Sequence, residues 1–343
     1  MRLGICAAVA LLLGSVAAAA RSATPPVPAP SFEIYSIRVD GTGLRNVTNS
    51  PLDEATPAVS PNGRQIAFVR GIAGNWDLWL MNADGSGQKQ LTTSADVDEF
   101  DPAWSPDGTS IAFTTAVRDD CFPHPCRRLS VRVVHADGTE VREVFAGGRD
   151  GRWSPNGRKL VFETDIDPYE QAESISVARL GGDVRKVVTD GIVAHPVWSR
   201  DGRLAFLWRG ARGPDLFVSR GDGRARRLVA KDAEEAPEWS PSGRQIAFVT
   251  LGRLKIVTVR TRRVRSVVRR AEAFAWSRSG RRLAIFWEEW GRIAVIKPDG
   301  RAFHAVLKIS GQLDDSWLGP WTWSRDGRRL VYAARIEPSP PPK

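Results

Sequence analysis

Cysteine, methionine, tyrosine and histidine are all scarce here: 343 residues hold three Cys, two Met, three Tyr and four His. Three cysteines exclude a disulfide-built scaffold and a four-cysteine zinc centre. The histidines, His124, His135, His195 and His304, stand singly, with no metal-ligand spacing between them. No Gly-x-Ser-x-Gly sequence occurs, so the nucleophile elbow of an α/β-hydrolase is missing. Beyond the N-terminus no segment sustains a 3.6-residue apolar period, which excludes a helical bundle. Lysine is scarce as well. With 8 Lys beside 41 Arg, the net charge of +10 is an arginine charge. Such a balance fits nucleic acid, a membrane surface or another polyanion, and equally an arginine-rich codon usage, so it does not select a function by itself.

What is plentiful is punctuation. The chain has 31 Gly and 23 Pro between short apolar runs, the pattern of an all-β fold. Residues 1–20 read as an export signal, with Arg2 as the charged start, Leu3 to Val16 as the apolar run and Ala18-Ala19-Ala20 as the cleavage site. Left uncleaved, the run would act as an anchor; after cleavage no transmembrane segment is expected. Cys6 lies at the start of that run and not after it, which argues against a lipoprotein. Residues 21–31 form a Pro-rich linker, residues 32–336 one domain, and residues 337–343 a Pro-rich tail. Cleavage would leave Cys121 and Cys126. In an oxidising compartment these are expected to form a structural disulfide across Phe122-Pro123-His124-Pro125.

One turn recurs seven times. It reads Ser60-Pro61-Asn62-Gly63, Ser105-Pro106-Asp107-Gly108, Ser154-Pro155-Asn156-Gly157, Ser199-Arg200-Asp201-Gly202, Ser240-Pro241-Ser242-Gly243, Ser277-Arg278-Ser279-Gly280 and Ser324-Arg325-Asp326-Gly327. The mean interval is 44 residues, the length of a four-stranded propeller blade. A Trp commonly precedes the turn, and a run such as Ile111-Ala112-Phe113 follows it, making a buried hairpin whose partners are the neighbouring blades. A second hairpin, for example Leu78 to Gly85, lies between successive copies. The chain begins with an outer hairpin (34–48) and ends with an inner one (321–335). These two halves are expected to pair and close a seven-bladed β-propeller of four-stranded antiparallel blades.

The Trp-Ser-Pro-Asp-Gly hairpin followed by Ile-Ala-Phe resembles the β-propeller repeats of TolB, the periplasmic component of the Tol–Pal envelope system, over about residues 32–336. Similar blades occur in prolyl oligopeptidase-like enzymes and oligogalacturonate lyases. Only the signal and linker precede the first hairpin, so the N-terminal domain of TolB is expected to be missing. The resemblance implies the fold and leaves function to the loops.

In a propeller the loops leading into the inner strands ring the channel mouth. Those loops carry Glu54, Glu99, Asp101, Asp150, His195, Glu235 and Glu272, the candidate partner-binding residues. His195 precedes Pro196 and is placed beside carboxylates, a pairing suited to a metal or to general-base chemistry, or simply to a polar loop. Calcium is conceivable around Asp96, Asp98 and Asp101 or along Asp165 to Glu170, though neither loop has the EF-hand glycine and spacing, and no cofactor is required. Trp287, Trp290, Trp317 and Trp321 form a candidate aromatic rim. Arginines follow the turn glycines on the opposite face, which suits an anionic envelope polymer. Nucleic acid is not expected, because the arginines lack interleaved stacking aromatics. The reading that results is an exported, monomeric, non-catalytic binding or scaffold protein that takes a protein or peptide partner at the channel mouth. The alternative is a propeller enzyme, lyase-like or hydrolase-like, with its site at the same mouth.

Overall fold

Each inner turn closes by one device, set by its residue order. Ser105 Oγ donates to Asp107 Oδ1 at 2.6 Å and accepts the Ser110 N–H at 2.9 Å, while the Gly108 N–H donates to Ser105 O at 2.9 Å. Gly108 sits at φ +75°, a left-handed position that glycine occupies without steric cost. The serine therefore ties the two strands of the hairpin together at their buried end.

The computed structural model describes residues 31–72, 74–94, 96–119, 126–166, 171–210, 213–234, 236–269, 271–287, 292–308 and 322–335. The export signal, most of the linker, the tail, Cys121, Glu235, Trp290, Trp317 and Trp321 lie outside the described residues. Among the described residues 28 strands make seven antiparallel blades of four. Blades 1 to 6 span residues 54–90, 97–146, 148–188, 193–230, 238–269 and 273–308. Blade 7 joins both ends of the chain: Thr322–Trp323 and Arg329–Ala334 supply its inner hairpin, Glu33–Arg38 and Arg45–Asn46 its outer one. Glu33–Arg38 pairs with Arg329–Ala334 over six residues, from Glu33 opposite Ala334 to Arg38 opposite Arg329. A single bridge, Ala172 to Val193, also joins the sheets of blades 3 and 4.

The core lies between blades, not within them. Seven apolar clusters fill the seven interfaces in turn, the last joining Ile34, Val47 and Val331 of blade 7 to Ile66, Phe68 and Met81 of blade 1. The second strand of each blade contributes one large side chain to this layer: Phe68, Phe113, Phe162, Phe206, Phe248, Ile285 and Tyr332, each at most 2% exposed. Burial of such a side chain is worth about 2–3 kcal/mol.

Two polar devices set the spacing. The motif tryptophan donates its indole N–H to a carbonyl on the preceding blade's innermost strand: Trp104 to Ala58 O (2.9 Å), Trp153 to Ala103 O (2.9 Å), Trp239 to Val197 O (3.3 Å), Trp276 to Glu238 O (3.2 Å) and Trp323 to Ala275 O (3.1 Å). The outer turns meet the blade before them through glycine. A Cβ on Gly223 would stand 1.9 Å from Val187 O, and one on Gly85 would stand 2.2 Å from Val47 O. The innermost strands neighbour one another all the way round the axis.

Candidate functional site

The innermost strands of the first four blades share an irregularity that the repeat does not announce. Each breaks register once near its start, between Ala55 and Ala58, Phe100 and Ala103, Arg149 and Arg152, and Ala194 and Val197. Within each break one residue turns left-handed: Thr56 (φ 48°), Asp101 (φ 53°), Asp150 (φ 55°) and His195 (φ 53°). None is glycine, and three precede proline. Such a backbone costs about 1–2 kcal/mol per residue and persists only where its surroundings hold it.

The surroundings are the side chains of the preceding blade. The Asp150 N–H donates to Thr114 Oγ1 of blade 2 at 3.0 Å, and the His195 N–H donates to Glu163 Oε1 of blade 3 at 2.7 Å. Buried Glu163 uses its other oxygen for Arg149 Nε at 2.8 Å. Asp150 pairs with Arg152 at 2.5 Å. The side-chain ligand atoms of Asp150, Glu163 and His195 lie within 4.8 Å of one another. Half-buried Asp101 faces the same group. Loss of solvent, and after it the Asp150 charge, pushes its carboxyl above the usual range, while Arg152 and Arg149 oppose the rise. The Asp150 charge in turn holds the Arg152 guanidinium more firmly protonated than usual. A cavity of about 170 Å³ opens beside the group between blades 3 and 4, lined by Arg149, Gln171, His195, Arg209 and Glu234 among others.

The structure thus brings Asp101, Asp150 and His195 together and places the other candidates elsewhere. Glu54 is fully buried and paired with Arg70 at 2.7 Å; burial outweighs that arginine and raises its carboxyl. Glu99 is 1% exposed, and burial pushes it up to about 8, with Asp77 nearby adding to the rise. Both carboxyls sit in the protein interior, not at the mouth. Glu272 is exposed and stands at the start of blade 6, away from the group. Of the conceivable calcium ligands, Asp98 is buried and accepts the Trp76 N–H at 3.1 Å, whereas Asp101 belongs to the axial group.

Two participants, Arg149 and Arg152, are absent from the candidates that sequence singles out. A signal for them exists: Gly148-Arg149-Asp150-Gly151-Arg152-Trp153 puts two arginines into an innermost strand, and the innermost strands of the other blades hold none. These arginines also make the group mixed in charge, not acidic. The opposite face is mixed too, since Asp40, Asp84, Asp107, Asp137, Asp222 and Asp326 close turns there.

Two carboxylates and one imidazole are a donor set for a transition metal and too few oxygens for calcium. Arg149 and Arg152 occupy those carboxylates, so a cation would have to displace the Arg152 pairing to gain a firm hold. As it stands, the arrangement offers donors and acceptors side by side to a polar ligand.

An uncharacterised protein of Agrobacterium fabrum (strain C58 / ATCC 33970) is 34% identical over 139 residues, a match covering 38% of this chain and 46% of that protein. The match therefore spans under half of the relative's own length. Among solved structures, an oligogalacturonate lyase in complex with manganese aligns with a TM-score of 0.67 at 15% identity, over 90% of this chain and 97% of that one. A puromycin hydrolase aligns with a TM-score of 0.67 at 18% identity, over 90% and 56% of the two chains. A putative TolB from Agrobacterium tumefaciens aligns with a TM-score of 0.53 at 17% identity, over 91% and 100%. At these identities the likenesses establish the propeller fold. The profile of the TolB beta propeller domain matches residues 30–233, more than half of the sequence, and the chain belongs to that family.

Proposed function

We propose that the protein is a non-catalytic binding protein of the cell envelope that receives a protein or peptide segment at the channel mouth, on the group formed by Asp101, Asp150, Glu163, His195, Arg149 and Arg152. One observation carries this reading. The left-handed backbone at Asp150 and His195 is held by polar side chains of the preceding blade, and Asp150 and Glu163, brought together there, are already paired with arginines. A fixed array of donors and acceptors of this kind suits the recognition of a polar segment.

The test is capture of partners from an envelope extract by cross-linking and mass spectrometry, with a variant carrying both Asp150→Asn and His195→Ala run beside the parent protein. A partner retained by the parent and lost by an equally folded variant supports the mouth as the recognition surface. A partner retained equally by both, or none by either, removes it.

A second reading, a metal-assisted enzyme acting on a polysaccharide, is favoured by the closeness of Asp150, Glu163 and His195. Calorimetric titration with manganese distinguishes the two. Saturable binding that His195→Ala abolishes would move the enzyme reading ahead.

A further inference from the structure

The blade interfaces are not all filled alike. Six blades carry a tryptophan before the inner turn, namely Trp104, Trp153, Trp198, Trp239, Trp276 and Trp323, and blade 1 carries Val59. Each of these tryptophans packs into the cluster that its blade shares with the one before it, as Val59 does at the seam with blade 7, and blade 4 shows which turn the ring also meets. A Cβ on Gly221, in the outer turn Arg220-Gly221-Asp222-Gly223, would lie 2.7 Å from Trp198 Cζ3. The ring therefore lies against the outer turn of its own blade, on the face opposite the channel mouth.

In blade 1 the matching outer turn is Asn82-Ala83-Asp84-Gly85. Between Val59 and Ala83, where the indole would lie, a cavity of about 670 Å³ opens at the seam with blade 7. Its apolar wall comes from Val47, Val59, Ile66 and Val331. Its polar rim carries Arg45 and Arg329. Arg329 donates Nε to Ser36 Oγ at 2.7 Å and Nη2 to Gly43 O at 2.7 Å, both neutral acceptors. Among the described residues it forms no ion pair. Burial, and then the charges of Arg38 and Arg45, lower its pKa, with smaller offsets from Asp326 and Asp40. Asp84 also lines the cavity, where its carboxylate, bonded by the Ser86 N–H at 3.0 Å and the Ser86 hydroxyl at 2.6 Å, offsets part of the charge of Arg45, whose guanidinium donates to the Asp84 carbonyl; the charge of Arg329 is left over. The cavity thus joins a wall able to take an aromatic ring to a surplus of positive charge.

We propose that the seam between blades 7 and 1 is a binding site for a small aromatic carboxylate, its ring in the space that the other blades fill with their own indole and its carboxylate on Arg45 and Arg329. Arginine suits this role because its planar donors match a carboxylate two by two. The site lies on the face opposite the Asp150 and His195 group and does not depend on what binds there.

Indole-3-acetate and neutral indole serve as probes, titrated against the full chain by calorimetry. Indole-3-acetate is expected to bind saturably in the millimolar range or tighter, and more tightly than indole. Val59→Trp, which places the chain's own indole in the cavity, is expected to weaken indole-3-acetate by about tenfold or more, the equivalent of about 1.4 kcal/mol. Arg45→Gln is expected to weaken indole-3-acetate several-fold and leave indole unchanged. Should Val59→Trp fail to fold, Ala83→Leu, at an exposed position on the same wall, carries the same expectation. Absence of saturable binding, or binding undiminished in the cavity-filling variant, overturns the site. Equal affinity for both probes, unaffected by Arg45→Gln, overturns the assignment of an anion.

Discussion

Replacing Glu99 with Gln should make the fold less sensitive to alkali. The Glu99 carboxyl is 1% exposed and titrates near 8 instead of near the ordinary 4.5, chiefly because burial strips its charged form of water. Between those two values the unfolded chain has released a proton that the folded protein keeps. The unfolded state then binds fewer protons, so stability falls as pH rises through that window, by about 1.4 kcal/mol per unit for this one group. The interval sets a ceiling of about 5 kcal/mol, and relaxation around the ion brings the expected penalty at alkaline pH to about 2–3 kcal/mol. Glutamine has the size of the protonated acid, can offer an N–H toward Asp77, and does not ionise. At pH 5 the variant and the parent should therefore unfold at nearly the same urea concentration. By pH 8.5 the variant should be the more stable by about 2–3 kcal/mol. Urea titrations followed by tryptophan fluorescence from pH 5 to pH 9 supply the comparison, and the difference between the two proteins cancels the titrating groups that do not touch Glu99. Parallel profiles across that range would refute the reasoning. Partner capture should be unchanged in Glu99→Gln, because its carboxyl lies in the interior and not at the mouth.

The inter-blade devices give two further expectations. Gly223→Ala should lower the thermal midpoint sharply, at a cost of about 2–4 kcal/mol, since its Cβ would meet Val187 O at 1.9 Å. Gly202→Ala, equally left-handed at φ +80° but with nothing within 4 Å of its Cβ, should cost about 1 kcal/mol, and equal shifts would show that blade contact is not the reason. Trp153→Phe should destabilise by about 1–2 kcal/mol more than Trp198→Phe in chemical unfolding. Trp153 loses its bond to Ala103 O, whereas the buried Trp198 indole nitrogen has no acceptor to lose.

The blade pattern was legible because it is local chemistry repeated. Ser105, Asp107 and Gly108 specify a turn from adjacent residues alone, and the order of hairpins at the two ends fixes how Glu33–Arg38 meets Arg329–Ala334. The site was legible only in part. Asp101, Asp150 and His195 stand just before proline or glycine at the start of innermost strands, and each lies in a register break of its strand. Glu54 and Glu99 lie two residues earlier than Thr56 and Asp101 and look equally exposed in the sequence, yet that offset carries them into the interior. The role of Glu163 is not legible in the sequence, because it holds the backbone of a residue in the next blade, 32 positions away. A contact of that kind follows from the packing of one blade on another.

The closing blade also has a history in time. Ser36 and Arg329, bonded side by side across the closing blade, are 293 positions apart. At about 5–20 residues per second the outer hairpin waits roughly 15–60 s on a ribosome before its inner partner is made. Through that interval six blades can stack into an arc, but the arc ends in unpaired strands, each a template for another chain. Completion is one late event in which the final hairpin removes both open ends together. A chain cut short by its last fifteen residues would keep nearly all of its core and still be left with the edges that associate.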